Sequence, residues 1–169
     1  MKKILPLLLC LLFLLQTSAF AVPDEEMAIT SFKETIQKHL HSYQDDPRII
    51  VFSVSTDTKW LKSKCDIPYD YSYDIQKTNS IITPYTGYLI YKMRVLTTDN
   101  QTTKEAAEAC NTFNNNDDNL FIKYRILFSY QDNKWIPKKY EFNIPILGNW
   151  IDVTGNTNHV GYTRMLVKE

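Results

Sequence analysis

Two alternating segments around a short polar turn, within residues 120–144, constrain the fold more than any other feature of this chain. The first segment places an aromatic or β-branched residue at every second position: Ile122, Tyr124, Ile126, Phe128 and Tyr130. Successive side chains of a strand point to opposite faces, so this period is typical of a half-buried strand. Asp132 and Asn133 tolerate the positive φ of tight hairpin turns. A second alternating segment begins at Trp135, and we therefore predict a long antiparallel β-hairpin.

The first 21 residues have the features of a secretory signal peptide. Lys2 and Lys3 precede an apolar run from Ile4 to Leu15, and Ala19-Phe20-Ala21 fits the small-residue cleavage pattern. The apolar run is too short for a helix that spans a bilayer. We predict export to the periplasm or the extracellular medium with cleavage after Ala21; the alternative is a retained N-terminal anchor.

Residues 22–169 would remain after cleavage, and this length suits a single domain with its own core. Loss of Lys2 and Lys3 reduces the 19 basic residues to 17 against 19 acidic ones, a net charge of −2 with histidine neutral. These charges are scattered, so the chain lacks a basic field that would hold nucleic acid or an anionic membrane. We also expect no membrane span, because no later apolar run is long enough.

Residues 24–43 are predicted to form an amphipathic helix, about 30 Å long and able to lie across a small sheet. Acidic residues occupy its first turn, where the helix dipole favours negative charge. His39 and His41 lie two residues apart and point to nearly opposite sides, so we interpret them as solvated surface residues rather than metal ligands. One apolar stripe runs along the helix: Ile29, Phe32, Ile36, Leu40 and Tyr43.

Strands are predicted over residues 48–56, 69–78 and 88–98. Residues 57–64 are interpreted as a polar connection, and Pro84 and Gly87 as a turn or bulge. Shorter strands are indicated at 150–153 and at 162–167. The predicted fold class is α+β: one long N-terminal helix packed on a curved antiparallel sheet of four to five strands.

A resemblance supports this fold. The run YDIQKTNSIITPYTGYLIYKMRV over residues 73–95 and the later YQDNKW at 130–135 resemble a recurrent pattern in small exported bacterial proteins of the cystatin-like or NTF2-like type. The resemblance implies one helix on a curved antiparallel sheet. Such domains include inhibitors, enzymes and assembly proteins, so the fold implies no single activity. Cystatin-type inhibitors use a Q-x-V-x-G loop that this sequence lacks, and no functional residue is carried over.

Cys65 and Cys110 are the two cysteines that would remain after cleavage. An even pair in an oxidising compartment most often forms a disulfide, and we predict that these two are bridged. Neither has a C-x-x-C partner or a histidine at ligand spacing, so no metal site is predicted.

Asp70 and Asp74 lie on one face of the predicted strand 69–78, opposite a row of tyrosines. They are about 13 Å apart along the strand, too far for an acid/base pair acting on one bond, so a solvated face is the default interpretation. The sequence contains no P-loop, Rossmann glycine run, nucleophile elbow or zinc-protease motif. His159 lies in an asparagine-rich loop and is the histidine of most interest.

We expect an exported, non-catalytic binding or assembly module for a protein or peptide partner, with no cofactor and no assigned catalytic residue. The partner and the oligomeric state do not follow from the sequence. The alternatives are a small-pocket enzyme of the NTF2-like type, a hydrolase or isomerase with Asp70, Asp74 or His159 as base, and a structural envelope protein. The candidate binding surface comprises Tyr71, Tyr73, Tyr88, Tyr91, Asp70, Asp74 and His159.

Overall fold

The computed structural model describes residues 24–54, 59–114, 121–144 and 148–155. The predicted signal peptide, His159 and the predicted strand 162–167 lie outside these residues. The described chain forms two helices and seven strands in this order: α1 (Glu25–Asp45), β1 (Ile50–Val54), β2 (Lys59–Cys65), β3 (Tyr69–Lys77), β4 (Tyr85–Thr97), α2 (Lys104–Ala109), β5 (Phe121–Gln131), β6 (Lys134–Asn143) and β7 (Ile151–Asp152).

Strand β4 lies at the centre of a curled antiparallel sheet. One side of β4 pairs with β5 over ten residues, and β6 and then β7 follow β5. The other side is shared, because β3 pairs with the first part of β4 and β2 with its last residues. β1 pairs with β2 and is the last described strand on that side. The predicted α+β class is confirmed, but the prediction of four to five strands was too low.

The predicted hairpin is present as β5 and β6. Asp132 and Asn133 form its turn with φ values of 49° and 59°. Positive φ at both central positions gives a turn whose twist matches that of the flanking strands. The alternating residues of β5 are buried on one face as predicted.

Helix α1 covers that face of β4 and β5. Asp24 caps the helix and accepts a hydrogen bond from the Glu26 amide. Phe32 is fully buried, with its ring centroid 4.3 Å from that of Trp135. Trp135 in turn donates a hydrogen bond from Nε1 to the Ala28 carbonyl at 3.0 Å, which fixes the helix to β6. The predicted helix and its role as the cover of the sheet are therefore confirmed.

Neither helix in the described part of the chain combines the length and the apolar content that crossing a bilayer requires.

Strand β2 corrects the prediction of a polar connection over residues 57–64. Lys62 is buried, and its ammonium donates hydrogen bonds to the carbonyls of Glu108 and Cys110 at the end of α2. A lysine can be buried when its charge is matched by acceptors and its stem packs on apolar surface. The acceptors lie far along the chain, so the composition of this segment gave no indication of them.

Cys65 and Cys110 are free thiols in the structure. Cys65 belongs to the core on the α1 side of the sheet. Lys62, three residues earlier on β2, points to the opposite face and there contacts the carbonyl of Cys110. The two cysteines therefore lie on opposite sides of β2, and the predicted disulfide is not formed in this arrangement.

Thiol labelling should distinguish the two cysteines. Burial raises the pKa of Cys65 to about 12, so its reactive thiolate is scarce in the folded protein. In native protein at neutral pH we expect a maleimide to label Cys110 and to reach Cys65 only after unfolding, as measured by peptide mass spectrometry. If neither cysteine is labelled in denatured, unreduced protein, the predicted disulfide does form and α2 must lie elsewhere.

Candidate functional site

Strand β3 forms a long open edge of the sheet. It pairs with β4 alone, and no other described residue forms a hydrogen bond with the backbone of its outer side. The Thr78 amide donates to the Pro84 carbonyl at 2.8 Å, in register with the pairing of Lys77 and Tyr85. Backbone groups alternate in direction along an antiparallel strand. Among the regularly paired residues, Ser72, Asp74 and Gln76 therefore face β4.

The backbone N–H and C=O groups at the alternate positions Tyr73, Ile75 and Lys77 consequently point away from the sheet. Three donors and three acceptors are thus available to an added strand. β3 has nine residues, whereas among the other open edges of the described sheet β1 has five, β7 has two, and the part of β6 that precedes its contacts with β7, Lys134 to Lys139, has six. The longest open edge in the described structure is therefore that of β3.

Asp70 interrupts the regular alternation at the start of β3. Its φ is 48°, and the register with β4 shifts between Tyr69 and Ser72. The Asp70 carboxylate forms an ion pair with Lys92 on β4. The irregularity places Tyr69 opposite Lys92, on the face of the sheet away from α1, and separates it from the later tyrosines of the strand.

Tyr71 and Tyr73 lie on the α1 side of this edge, and both remain exposed, at 44% and 39%. The Tyr71 hydroxyl accepts a hydrogen bond from Gln37 Nε2 at 3.1 Å. The Tyr73 ring meets Phe32 edge-on, with centroids 6.1 Å apart. Tyr71 is therefore held at its hydroxyl and Tyr73 by its ring contact, while part of each side chain stays accessible to a partner.

Tyr88 and Tyr91 do not belong to this surface. Tyr88 is half-buried on the face of the sheet away from α1, directly opposite Asp74. Tyr91 is fully buried beneath α1. The four tyrosines predicted as one binding surface are therefore divided among the edge, the outer face and the core. Asp70 and Asp74 are exposed near the edge, as expected for a solvated face.

The hairpin between β3 and β4 adds two exposed isoleucines at the end of the edge. Ile81 and Ile82 are 70% and 77% exposed. The loop that carries them is internally bonded, because the Thr83 amide donates to Ser80 Oγ at 3.1 Å. Gln131 Nε2 from β5 also donates to Thr83 Oγ1 at 2.9 Å. These hydrogen bonds fix the loop in a conformation that leaves the side chains of Ile81 and Ile82 exposed to solvent.

Exposed apolar residues are concentrated at this edge. Such residues are common singly on protein surfaces, but a contiguous group often marks an interaction site. Of the nine large hydrophobic residues that are exposed in the described part of the chain, six lie on β3 or at its two ends: Ile67, Tyr69, Tyr71, Tyr73, Ile81 and Ile82. We call the open side of β3, with these residues, the β3 edge.

A second candidate site is a cleft of about 270 Å³ between α1 and the β5–β6 hairpin. Its floor on the sheet is largely apolar. The helix side and the segment after it supply the polar wall. The lining residues most relevant to chemistry are Lys38, His39, Ser42, Arg48, Trp135 and Tyr140.

His39 connects the cleft to a buried chain of hydroxyl groups. Its Nε2 lies 3.0 Å from the Tyr91 hydroxyl, which lies 2.9 Å from that of Tyr43. Arg48 Nη1 donates to the Tyr43 hydroxyl at 2.6 Å. Burial, with a smaller contribution from the Arg48 charge, lowers the pKa of His39 to about 4. The imidazole is therefore neutral at neutral pH.

The interpretation of His39 as a solvated surface residue was wrong, whereas His41 is exposed as expected. The sequence did contain a signal for His39. It follows Ile36 by three residues and precedes Tyr43 by four, so it borders the apolar stripe of α1. A histidine in that position is half-buried when the helix packs on a sheet.

The described lining of the cleft places no acid or activated nucleophile beside His39. No carboxylate from the described residues lines it, and Asp70 and Asp74 lie at the β3 edge instead. The Ser42 hydroxyl donates to the His39 carbonyl at 2.6 Å and so is not activated by the imidazole. The described residues also contain no group of three or more His, Cys, Asp or Glu that could hold a metal ion.

Comparisons of this chain with protein-family models, with curated proteins and with solved structures gave no match.

Proposed function

We propose that this protein is an exported, non-catalytic binding module that takes up an extended segment of a partner along the β3 edge. The carrying observation is that six of the nine exposed large hydrophobic residues in the described structure lie on or beside this one open strand. Export rests on the signal peptide predicted over residues 1–21. Membership of the cystatin-like or NTF2-like type likewise remains a prediction from the sequence pattern.

Addition of a partner segment as a further strand would explain both the outward backbone groups and the exposed tyrosines of the β3 edge. An added strand gains affinity from main-chain hydrogen bonds and specificity from the side chains at alternate positions. The outward groups of Tyr73, Ile75 and Lys77 would supply the bonds. Tyr71 and Tyr73 would supply amphipathic contact area on the α1 side, where aromatic residues favour recognition. Proteins usually shorten, twist or cover an exposed edge, because it otherwise recruits other chains.

A small-pocket enzyme has less support. The cleft beside His39 offers a neutral imidazole that is already hydrogen-bonded to Tyr91, and no described carboxylate faces it. A general base must reach the proton that it abstracts, and His39 Nε2 already forms a hydrogen bond with the buried Tyr91 hydroxyl. We therefore assign His39 a structural role in the core beneath α1.

Position-specific photocrosslinking tests the proposed function. Benzoylphenylalanine in place of Tyr73 puts a reactive group on the β3 edge, and the same residue in place of exposed Lys138 on β6 serves as the matched control. In cells that produce the protein naturally, we expect discrete covalent adducts from position 73 and none from position 138. Absence of adducts at 73, or equal adducts at both positions, would contradict the proposal.

A further inference from the structure

We propose that a second copy of this chain occupies the β3 edge, with two β3 strands paired antiparallel about a twofold axis at Tyr73. This inference rests on the proposed function, because it names the partner of the same edge. It follows from the direction of the backbone groups, the position of the charges and the position of the exposed apolar residues.

The backbone groups permit this pairing. Those of Tyr73 point away from β4, so Tyr73 of one copy can exchange two hydrogen bonds with Tyr73 of the other. Ile75 also faces outward and meets Tyr71 of the second copy. With the axis at Tyr73, the residues that lie opposite one another run from Tyr69 to Lys77, and the irregularity at Asp70 falls opposite Gln76, at the end of the paired segment.

The positions of Asp70 and Asp74 favour the register with its axis at Tyr73 over the registers with axes at neighbouring residues. With the axis at Tyr73, Asp74 lies opposite Ser72 of the second copy and Asp70 opposite its Gln76. An axis at Ser72 would place Asp70 opposite Asp74, and an axis at Asp74 would place that carboxylate opposite itself. Like charges directly opposite each other destabilise a strand pair. An axis at Ile75 avoids this clash but pairs only Tyr73 to Lys77, so it leaves the exposed ring of Tyr71 outside the paired segment.

The twofold axis also brings the exposed apolar residues together. Ile81 and Ile82 lie beyond one end of β3, and Ile67 lies beyond the other. The two ends of β3 are equally far from Tyr73, about 13 Å at 3.3 Å per residue. Antiparallel pairing therefore places the isoleucine tip of each copy at the Ile67 end of its partner, while Tyr71 and Tyr73 are covered in the middle. One symmetric contact accounts for the exposed residues of the β3 edge on the α1 side and at both of its ends.

Opposite charge changes at Ser72 test the register. Ser72 is exposed. In the dimer, Ser72 of each copy lies opposite Asp74 of the other copy, so there are two such pairs. Ser72→Lys adds two Lys–Asp pairs, and Ser72→Asp adds two Asp–Asp pairs. Sedimentation equilibrium of the purified protein should show the dimer dissociation constant about fivefold lower for S72K and about fivefold higher for S72D, as two exposed pairs predict. Both shifts should diminish at 1 M salt.

Thr30→Lys and Thr30→Asp are the matched controls, because Thr30 is exposed on α1 and these variants carry the same net charges. They should leave the dissociation constant unchanged. A monomer at every concentration, or equal effects of S72K and S72D, would overturn the dimer. If position 73 then still captures a different protein, the proposed function stands without the dimer. If position 73 captures nothing, both are contradicted.

Discussion

Gly87→Ala should lower the free energy of unfolding by about 1–3 kcal/mol, the range for adding a methyl group to a packed core. A Cβ atom on Gly87 would lie 2.8 Å from Phe32 Cζ and 3.1 Å from the Asp74 carbonyl oxygen. The Phe32 ring has little freedom to move away, because it packs against Phe128 and Trp135 on its other sides. Alanine also restricts the unfolded chain, which opposes the loss by about 0.5–1 kcal/mol. Urea denaturation measures the net effect.

Two further variants test whether contact between the added Cβ and Phe32 causes this loss of stability. Phe32→Leu makes room at the ring position, so it should be less destabilising in the Gly87→Ala background than in the wild type. Gly148→Ala is the glycine control: its φ is 69° and nothing lies within 4 Å of the added Cβ, so only backbone strain of about 1 kcal/mol is expected. An unchanged or increased stability of Gly87→Ala would show that α1 does not press on β4 as described.

His39→Gln should remove a pH dependence of stability worth up to about 3 kcal/mol. Burial beneath α1, aided by the Arg48 charge, lowers the pKa of His39 from 6.5 to about 4. Between pH 4 and pH 6.5, the unfolded chain therefore binds a proton at His39 that the folded protein does not bind. Stability from this residue is complete above pH 6.5 and is lost as the pH falls towards 4, at 1.36 kcal/mol for each unit of pKa difference.

The measurement is the free energy of unfolding of wild type and variant from pH 7.5 to pH 4. Glutamine preserves a hydrogen-bonding group near Tyr91 but does not titrate, so the stability of the wild type relative to the variant should fall by up to about 3 kcal/mol as the pH falls from 6.5 to 4. His41→Gln is the control, since His41 is exposed and lies two residues away. Parallel curves for wild type and His39→Gln would mean that His39 is solvated in the folded protein.

The main elements of the fold followed from sequence periodicity. The alternation from Ile122 to Tyr130 and the positive-φ residues Asp132 and Asn133 are local signals, and both hold in β5 and its turn. Strand β2 was missed because Lys62 is stabilised by acceptors from α2, more than forty residues later in the chain. Local patterns describe how a segment folds but do not report distant partners.

The site was predictable only in part for the same reason. The tyrosine row of β3 was visible as an alternation, but the positive φ of Asp70, which moves Tyr69 to the other face, was not. Tyr91 was assigned to the candidate binding surface as one of several tyrosines, and it is buried because α1 covers its face of β4. Which face α1 covers is decided by packing. That β3 is an edge depends on strand order, which no single segment encodes.

Residue-resolved amide hydrogen exchange on β3 tests the central claim most directly. The amides of Ser72, Asp74 and Gln76 are bonded to β4 and should exchange slowly at every protein concentration. Those of Tyr73, Ile75 and Lys77 should exchange rapidly in dilute protein and become protected once a partner strand is taken up. The claim is contradicted if these three are already slow in the dilute monomer, or stay fast when the edge is occupied.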